Sequence, residues 1–303
     1  MNRLRRSCPA LAALLMAVLT AAAFTASAQS FLSELGSHIP GVGGQIVTKT
    51  GHVAEKISEQ GPAPQAGPRY EYLVGYRVAA RILGGAKAMP MDSPVAKYVD
   101  QVGQTVALGS AFPYPFRGYF FVVLDSADVN AFATPGGFVF VTTGMIKFLR
   151  NEDELAAILG HEVGHVELSH GMRSIKESRN TKITGSVLQE LASGTVVGNT
   201  VGEVLGPLSD EIYKSVANGY SSDLEAEADA RSAEICAKLG YDPSALLGVL
   251  ERFRAYKGNY GGAGYPEERA GLYSAKLQQG QYPIPAPVPE RVGRFADALS
   301  RLP

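Results

Sequence analysis

Asn151-Glu152-Asp153-Glu154-Leu155-Ala156-Ala157-Ile158-Leu159-Gly160-His161-Glu162-Val163-Gly164-His165-Val166 is the stretch on which the reading turns. Asn151 with Glu154 three residues on has the form of a capping box, and Leu155, Ile158, Leu159, Val163 and Val166 then recur at helical spacing. On a helix of about 3.6 residues per turn, positions four apart lie about 40° apart on one face, so His161 and His165 can reach a single ion. Glu162 sits at the edge of that face, placed to accept a proton from water activated there without itself ligating the metal. Two histidines and a glutamate in this pattern point to metal-assisted hydrolysis of a peptide bond.

A catalytic zinc takes three protein ligands and keeps one position open. The arrangement H-E-x-x-H-x-x-G-x-x-H is ruled out, because Leu168 stands where its glycine belongs and Gly171 where its third histidine belongs. His170 lies five residues past His165, about 140° round a continuous helix. His38 and His52 fall in a loop-rich arm, so a carboxylate is expected to complete the set. Ser222 to Leu239 reads as a second helix, acidic at its start and stopped by Gly240 and Asp242-Pro243. It offers Glu225, Glu227 and Asp229, with Glu225 and Asp229 on one face. One of these can ligate while the other accepts the second ring proton of a metal-bound histidine. Spacing alone leaves that reading level with a solvated acidic first turn that complements the helix dipole.

Outward from the two helices, Val95, Val99, Val102 and Val106 mark another helix, and Tyr119 to Leu124 is a β-rich run. Asn130 to Gly137 carries turn chemistry and Phe138 to Thr142 reads as a second short strand, so a hairpin-like pair is expected. An extended substrate is expected to pair with the edge formed by Phe138, Val139 and Phe140. Ile183 to Leu208 is apolar and glycine-rich but broken by Gln189, Glu190, Asn199 and Glu203, which suits a lid or packed hairpin and not a bilayer span. Tyr282 to Pro289 is proline-rich and expected to be extended.

The N-terminus reads as an address. Arg3, Arg5 and Arg6 precede an apolar run from Pro9 to Phe24, and Ala26-Ser27-Ala28 supplies small residues for cleavage, so residues 1–28 have the form of a signal peptide. The removed segment takes three arginines and no acidic side chain, leaving 25 basic against 29 acidic residues. Nothing in that balance suggests nucleic acid. Cys8 leaves with the signal and Cys236 stays alone, so no intrachain disulfide can form. The organisation expected is a signal at 1–28, a flexible arm at 29–68 interrupted by Gly61-Pro62-Ala63-Pro64 and Gly67-Pro68, and one domain at 69–303. A soluble periplasmic protein with no transmembrane span follows from that reading.

The motifs together resemble the HtpX-like and Oma-like gluzincin peptidases. The resemblance rests on Asn130-Ala131-Phe132-Ala133, Pro135-Gly136-Gly137-Phe138, Thr143-Gly144, His161-Glu162-x-x-His165, Glu225-x-Glu227-Ala228-Asp229 and Gly240-Tyr241-Asp242-Pro243, in family order from Arg69 to Phe253. It implies an α+β zincin-like domain, mostly helical, with a small sheet beside the H-E-x-x-H helix. It implies one Zn²⁺ per chain on His161, His165 and Glu225, Glu162 as general base and Asp229 as partner of a ligand histidine. Among such relatives, exported members that handle outer-membrane proteins are the most similar, which implies unfolded or misassembled envelope proteins as substrates and the outer-membrane assembly machinery as partner. Two positions depart from the family pattern. Ser222 replaces the arginine of its Ser-Arg-x-x-Glu segment, so a supporting ion pair is expected to be missing. Counting back from Arg291 to the usual His-Pro pair lands on Pro285, leaving Tyr265, Tyr273 or Tyr282 to assist the oxyanion. A client-binding, chaperone-like protein on the same fold is the rival that this loss suggests.

Overall fold

A computed structural model describes residues 67–177, 200–256 and 268–302. The expected signal, nearly all of the arm with His38 and His52, residues 183–199 of the expected lid, and Tyr265 lie outside the described residues. In chain order the elements are α1 (Pro68–Gly85), α2 (Pro94–Gly109), β1 (Phe120–Leu124), β2 (Ala131–Thr134), β3 (Phe138–Thr142), α3 (Thr143–Phe148) and α4 (Glu152–Glu167). There follow α5 (His170–Glu177), α6 (Thr200–Asn218), α7 (Ser222–Leu239), α8 (Ala245–Ala255), α9 (Arg269–Gly280) and α10 (Pro289–Ser300). Among the described residues the architecture is α+β and mostly helical, with one three-stranded sheet. Residues 200–208, the last part of the expected lid, open α6.

Helix α4 runs through the centre. Its residues from Glu154 to Val166 are all buried, which explains why its apolar stripe continues round the helix. Asn151 caps it as the sequence implies, accepting from the Glu154 amide at 2.8 Å. Glu154 returns the contact one residue earlier than the pattern predicts, accepting from the Arg150 amide at 2.8 Å. Helix α7 packs along α4 at two glycines one turn apart. A Cβ on Gly160 would stand 3.3 Å from Ser232 Oγ, and one on Gly164 would stand 3.0 Å from the Arg231 Cβ and 3.2 Å from the Ala228 carbonyl oxygen. Close approach at Gly160 lets Ser232 Oγ donate to the Ala157 carbonyl at 2.7 Å. The glycine inside the motif thus brings the acidic helix near the histidines.

The first turn of α4 is anchored by buried charge. Glu152 accepts from Tyr98 at 3.0 Å, from Tyr241 at 3.3 Å and from Arg294 Nη2 at 2.6 Å, while Arg291 Nη1 donates to Asp153 at 3.0 Å. Helix α10 is therefore tied to the start of the central helix, and the extended segment from Tyr282 to Val288 leads into it. Cys236 is buried and unpaired.

The sheet differs from the expected hairpin. Its order is β1-β3-β2, with β3 parallel to β1 and antiparallel to β2. The residues read as turn between two strands themselves include β2, and the reversal into β3 is confined to Pro135-Gly136-Gly137. Gly136 and Gly137 hold φ values of +76° and +102°, a region open to glycine at little steric cost. The outer edge of β1 is bridged by Ala88. No helix among the described residues is long and apolar enough to cross a membrane.

Candidate metal centre

His161 and His165 project from one face of α4, and α7 brings Glu225 across from them. The two Nε2 atoms lie 2.9 Å apart, with Glu225 Oε2 at 3.3 Å from His161 Nε2 and Glu225 Oε1 at 3.7 Å from His165 Nε2. These are the described residues whose nitrogen or carboxylate atoms converge tightly enough to hold one ion. A tetrahedral zinc about 2.0–2.1 Å from each donor sets its ligand atoms about 3.3 Å apart, so the three separations bracket the required edge. Two imidazoles and one carboxylate are also a catalytic zinc donor set. The residues fit the metal.

Each candidate ligand has support behind it. Asp229, one turn past Glu225, accepts from His161 Nδ1 at 2.9 Å. That leaves Nε2 of His161 to face the centre. His165 is supported by a residue the sequence reading turned away. Helix α4 ends at Glu167 with Leu168 as its C-cap, Ser169 takes a positive φ of 53°, and α5 restarts at His170, so the 140° of a continuous helix does not apply. The break carries His170 back until its Nδ1 lies 2.8 Å from His165 Nδ1. His170 Nε2 lies 3.3 Å from Glu227 Oε2, and Arg173 holds both oxygens of Glu227.

Arg269, from the start of α9, is the other residue that sequence reasoning missed. Its Nε and Nη2 donate to the two oxygens of Asp229 at 2.7 and 2.6 Å, and its Nη1 lies 2.8 Å from Glu225 Oε2. Glu225 and Asp229 thus have an arginine partner from another helix, and Ser222 itself is exposed. Burial opposes ionisation of Glu225, but the hydrogen bond and charge of His161, with His165 and Arg269, hold its carboxyl well below the ordinary range. Burial pushes Glu162 up to about 7, with the carboxylates of Glu225 and Asp229 adding to the rise and His161 and Arg269 opposing it. Burial also holds His165 well below its ordinary value.

The centre opens into a cavity of about 120 Å³. It is lined by Val129 to Ala133, by Glu162 and the three candidate ligands, and by the apolar side chains of Met145, Ile158, Leu246, Leu250 and Phe253. Phe138, Val139 and Phe140 do not offer the expected substrate edge. They belong to β3, which has a partner strand on each side. The strand on the cavity wall is β2, and among the described residues no strand pairs with its other side. Of the tyrosines expected to assist, Tyr273 donates its hydroxyl to the Pro243 carbonyl at 2.6 Å, and neither Tyr273 nor Tyr282 lines the cavity. Pro285 lies outside the lining as well.

Residues 94–291 match peptidase family M48. The chain belongs to that family. The match takes in both motif helices, the sheet and Arg269, and it agrees with the α+β zincin-like fold. The M48 chain is 26% identical over 184 residues to the beta-barrel assembly-enhancing protease of Escherichia coli K12, covering 57% of this chain and 35% of that protein. It is 28% identical over 170 residues to metalloprotease LoiP of the same strain, covering 55% and 62%. To the mitochondrial metalloendopeptidase OMA1 of Schizosaccharomyces pombe it is 28% identical over 180 residues, covering 59% and 50%. The matched region thus spans less than two thirds of the length of each relative.

Proposed function

We propose that this M48 chain is a zinc-dependent metalloendopeptidase, exported to the periplasm by residues 1–28, that hydrolyses unfolded or misassembled envelope proteins. The observation that carries the reading is the convergence of His161, His165 and Glu225 with Glu162 beside them in the cavity lining. Zinc bound there would supply Lewis-acid polarisation of the scissile carbonyl and bring the pKa of its water down to about 7. The chain's own residues do the rest. Asp229 and His170 fix the rings of His161 and His165. Glu162 accepts the water's proton at its carboxylate and delivers it to the departing amine nitrogen, so one group serves both proton transfers.

An extended peptide laid along β2 is read through its backbone, and the apolar lining residues Met145, Ile158, Leu246, Leu250 and Phe253 favour an apolar side chain. Unfolded chains offer both features, whereas a folded protein hides them. The name of the Escherichia coli assembly-enhancing relative supports outer-membrane assembly as the setting. The test is cleavage of unfolded casein by the mature chain, with and without a zinc chelator, beside Glu162→Gln. Glutamine is nearly isosteric but cannot take the proton, so this variant keeps one zinc and loses at least about 10²-fold in rate. An active Glu162→Gln enzyme overturns the mechanism. An inactive parent that still suppresses client aggregation moves the reading to the chaperone-like rival.

A further inference from the structure

We propose that Arg269 is the catalytic residue that stabilises the negative charge developing on the scissile carbonyl oxygen. The inference rests on the peptidase reading and assigns a role at the same site. Its ground is where the guanidinium sits. Nη1 is 2.8 Å from Glu225 Oε2, an oxygen that faces the centre, and Nη2 lies beside the His161 ring, 3.3 Å from Nε2 and 3.2 Å from Nδ1. A carbonyl oxygen drawn to that centre therefore arrives within hydrogen-bond reach of an arginine nitrogen. The other charged residue of the cavity lining outside the ligand set is Glu162, which is acidic, so among the described lining residues Arg269 alone carries a permanent positive charge.

The guanidinium is also held in place beforehand. Asp229 binds it through two nitrogens at 2.6 and 2.7 Å, and a planar fork gripped in this way does not reorganise as charge appears. Preorganised donors of this kind give the largest electrostatic effect in a site that excludes water. Asn130 and Tyr220 are neutral donors on the same lining and bring no positive charge to the oxygen. The Tyr220 ring lies 4.6 Å from that of His165, and its hydroxyl lies beside Gly171 on α5. In the step itself, water oxygen bonds to the carbonyl carbon, the C=O π pair moves onto oxygen, and Glu162 takes the water's proton. Arg269 donates a hydrogen bond to that oxygen and keeps its own protons. The pair returns as the C–N bond breaks and Glu162 protonates the nitrogen.

The test uses the zinc-loaded mature chain and its Arg269→Ala, Arg269→Lys and Tyr220→Phe variants. Zinc content, kcat and KM on a fluorogenic peptide, and the Kd of a phosphinic peptide that mimics the tetrahedral state are measured. We expect Arg269→Ala to keep one zinc, change KM by less than about threefold and lose 10²–10³-fold in kcat, roughly the loss seen when one oxyanion donor is removed. Affinity for the phosphinic peptide should fall in parallel, added guanidinium ion should restore part of the rate, and Arg269→Lys should fall between parent and alanine. Tyr220→Phe should lose less in kcat than Arg269→Ala. If Arg269→Ala does not fold, Arg269→Gln keeps a donor toward Asp229 and is read the same way. A kcat within about fivefold of the parent overturns the proposal, and so does loss of zinc in step with activity, which would make Arg269 a prop for its carboxylates. An inactive parent sinks the peptidase reading separately. In that case equal phosphinic-peptide affinity in parent and Arg269→Ala still overturns the role of Arg269.

Discussion

His165 Nδ1 and His170 Nδ1 face each other at 2.8 Å, so one of them donates and the other accepts. If His165 presents Nε2 to a metal as a lone pair, its proton is on Nδ1 and is donated to His170. His170 then carries its own proton on Nε2, directed at Glu227 Oε2 at 3.3 Å. The tautomers are consistent along the whole row, and Arg173 fixes its far end. We therefore expect His170→Ala to weaken zinc binding about 10–100-fold by chelator competition, since partners behind ligand histidines typically have effects of that size. His170→Gln, which retains an acceptor, should recover part of the loss. Zinc affinity in His170→Ala within twofold of the parent would remove this role.

The position of β2 has a consequence for substrates. A peptide that adds to its edge is held by main-chain hydrogen bonds, so N-methylation at alternate backbone positions should lower cleavage by about tenfold where a donor is lost, at about 1–1.5 kcal/mol per hydrogen bond. Positions facing away should tolerate the methyl group. A scan of singly N-methylated peptides decides the matter, and uniform tolerance along the peptide rules out pairing with β2.

How far the sequence carries this fold depends on distance along the chain. The α4 cap, its apolar stripe and the two histidines are written within adjacent turns, so helix and donor set are both legible. The bounds of α7 follow from an acidic start and Gly240, which indeed closes it in a left-handed conformation. What escaped the reading depends on tertiary geometry. The break at Leu168 and Ser169 contains no glycine or proline, yet it turns His170 inward. The parallel pairing of β1 with β3 places the intervening strand at the edge, which period-2 patterning cannot specify. Arg269 opens a helix 40 residues beyond the carboxylate it grips, with no local pattern to mark it.

Arg252 and Glu154 form a buried pair that locks α8 to the first turn of α4, with Arg252 Nη1 donating to Oε1 at 2.9 Å and Nη2 to Oε2 at 2.5 Å. Both side chains are largely shielded from water, at 18% and 7% exposure. Removing one partner leaves the other charge buried, so Arg252→Ala should lose about 3 kcal/mol in urea unfolding of the metal-free protein. The double replacement Glu154→Leu with Arg252→Met should lose distinctly less, because neither charge remains. A double variant as unstable as the sum of its single changes would show that the pair is not coupled.

The corner that brings in His170 is itself fastened by Ser169, whose hydroxyl donates to Glu71 Oε1 at 2.9 Å. Burial raises the Glu71 carboxyl above its ordinary 4.5, with the Ser169 hydrogen bond opposing the rise. For a carboxyl raised on folding, the native state binds its proton more tightly than the unfolded chain does. The stabilising contribution of the protonated form is then complete below the unfolded value of 4.5 and is lost as pH climbs through the raised one. Glu71→Gln cannot ionise but keeps an oxygen to accept from Ser169, so its advantage over the parent should grow as pH rises from 4.5 toward neutrality. Thermal unfolding of both proteins with chelator present, at matched pH values, reads this difference without interference from the metal centre. A difference in melting temperature that stays flat or shrinks with rising pH would mean that ionised Glu71 is as well accommodated in the folded chain as in water.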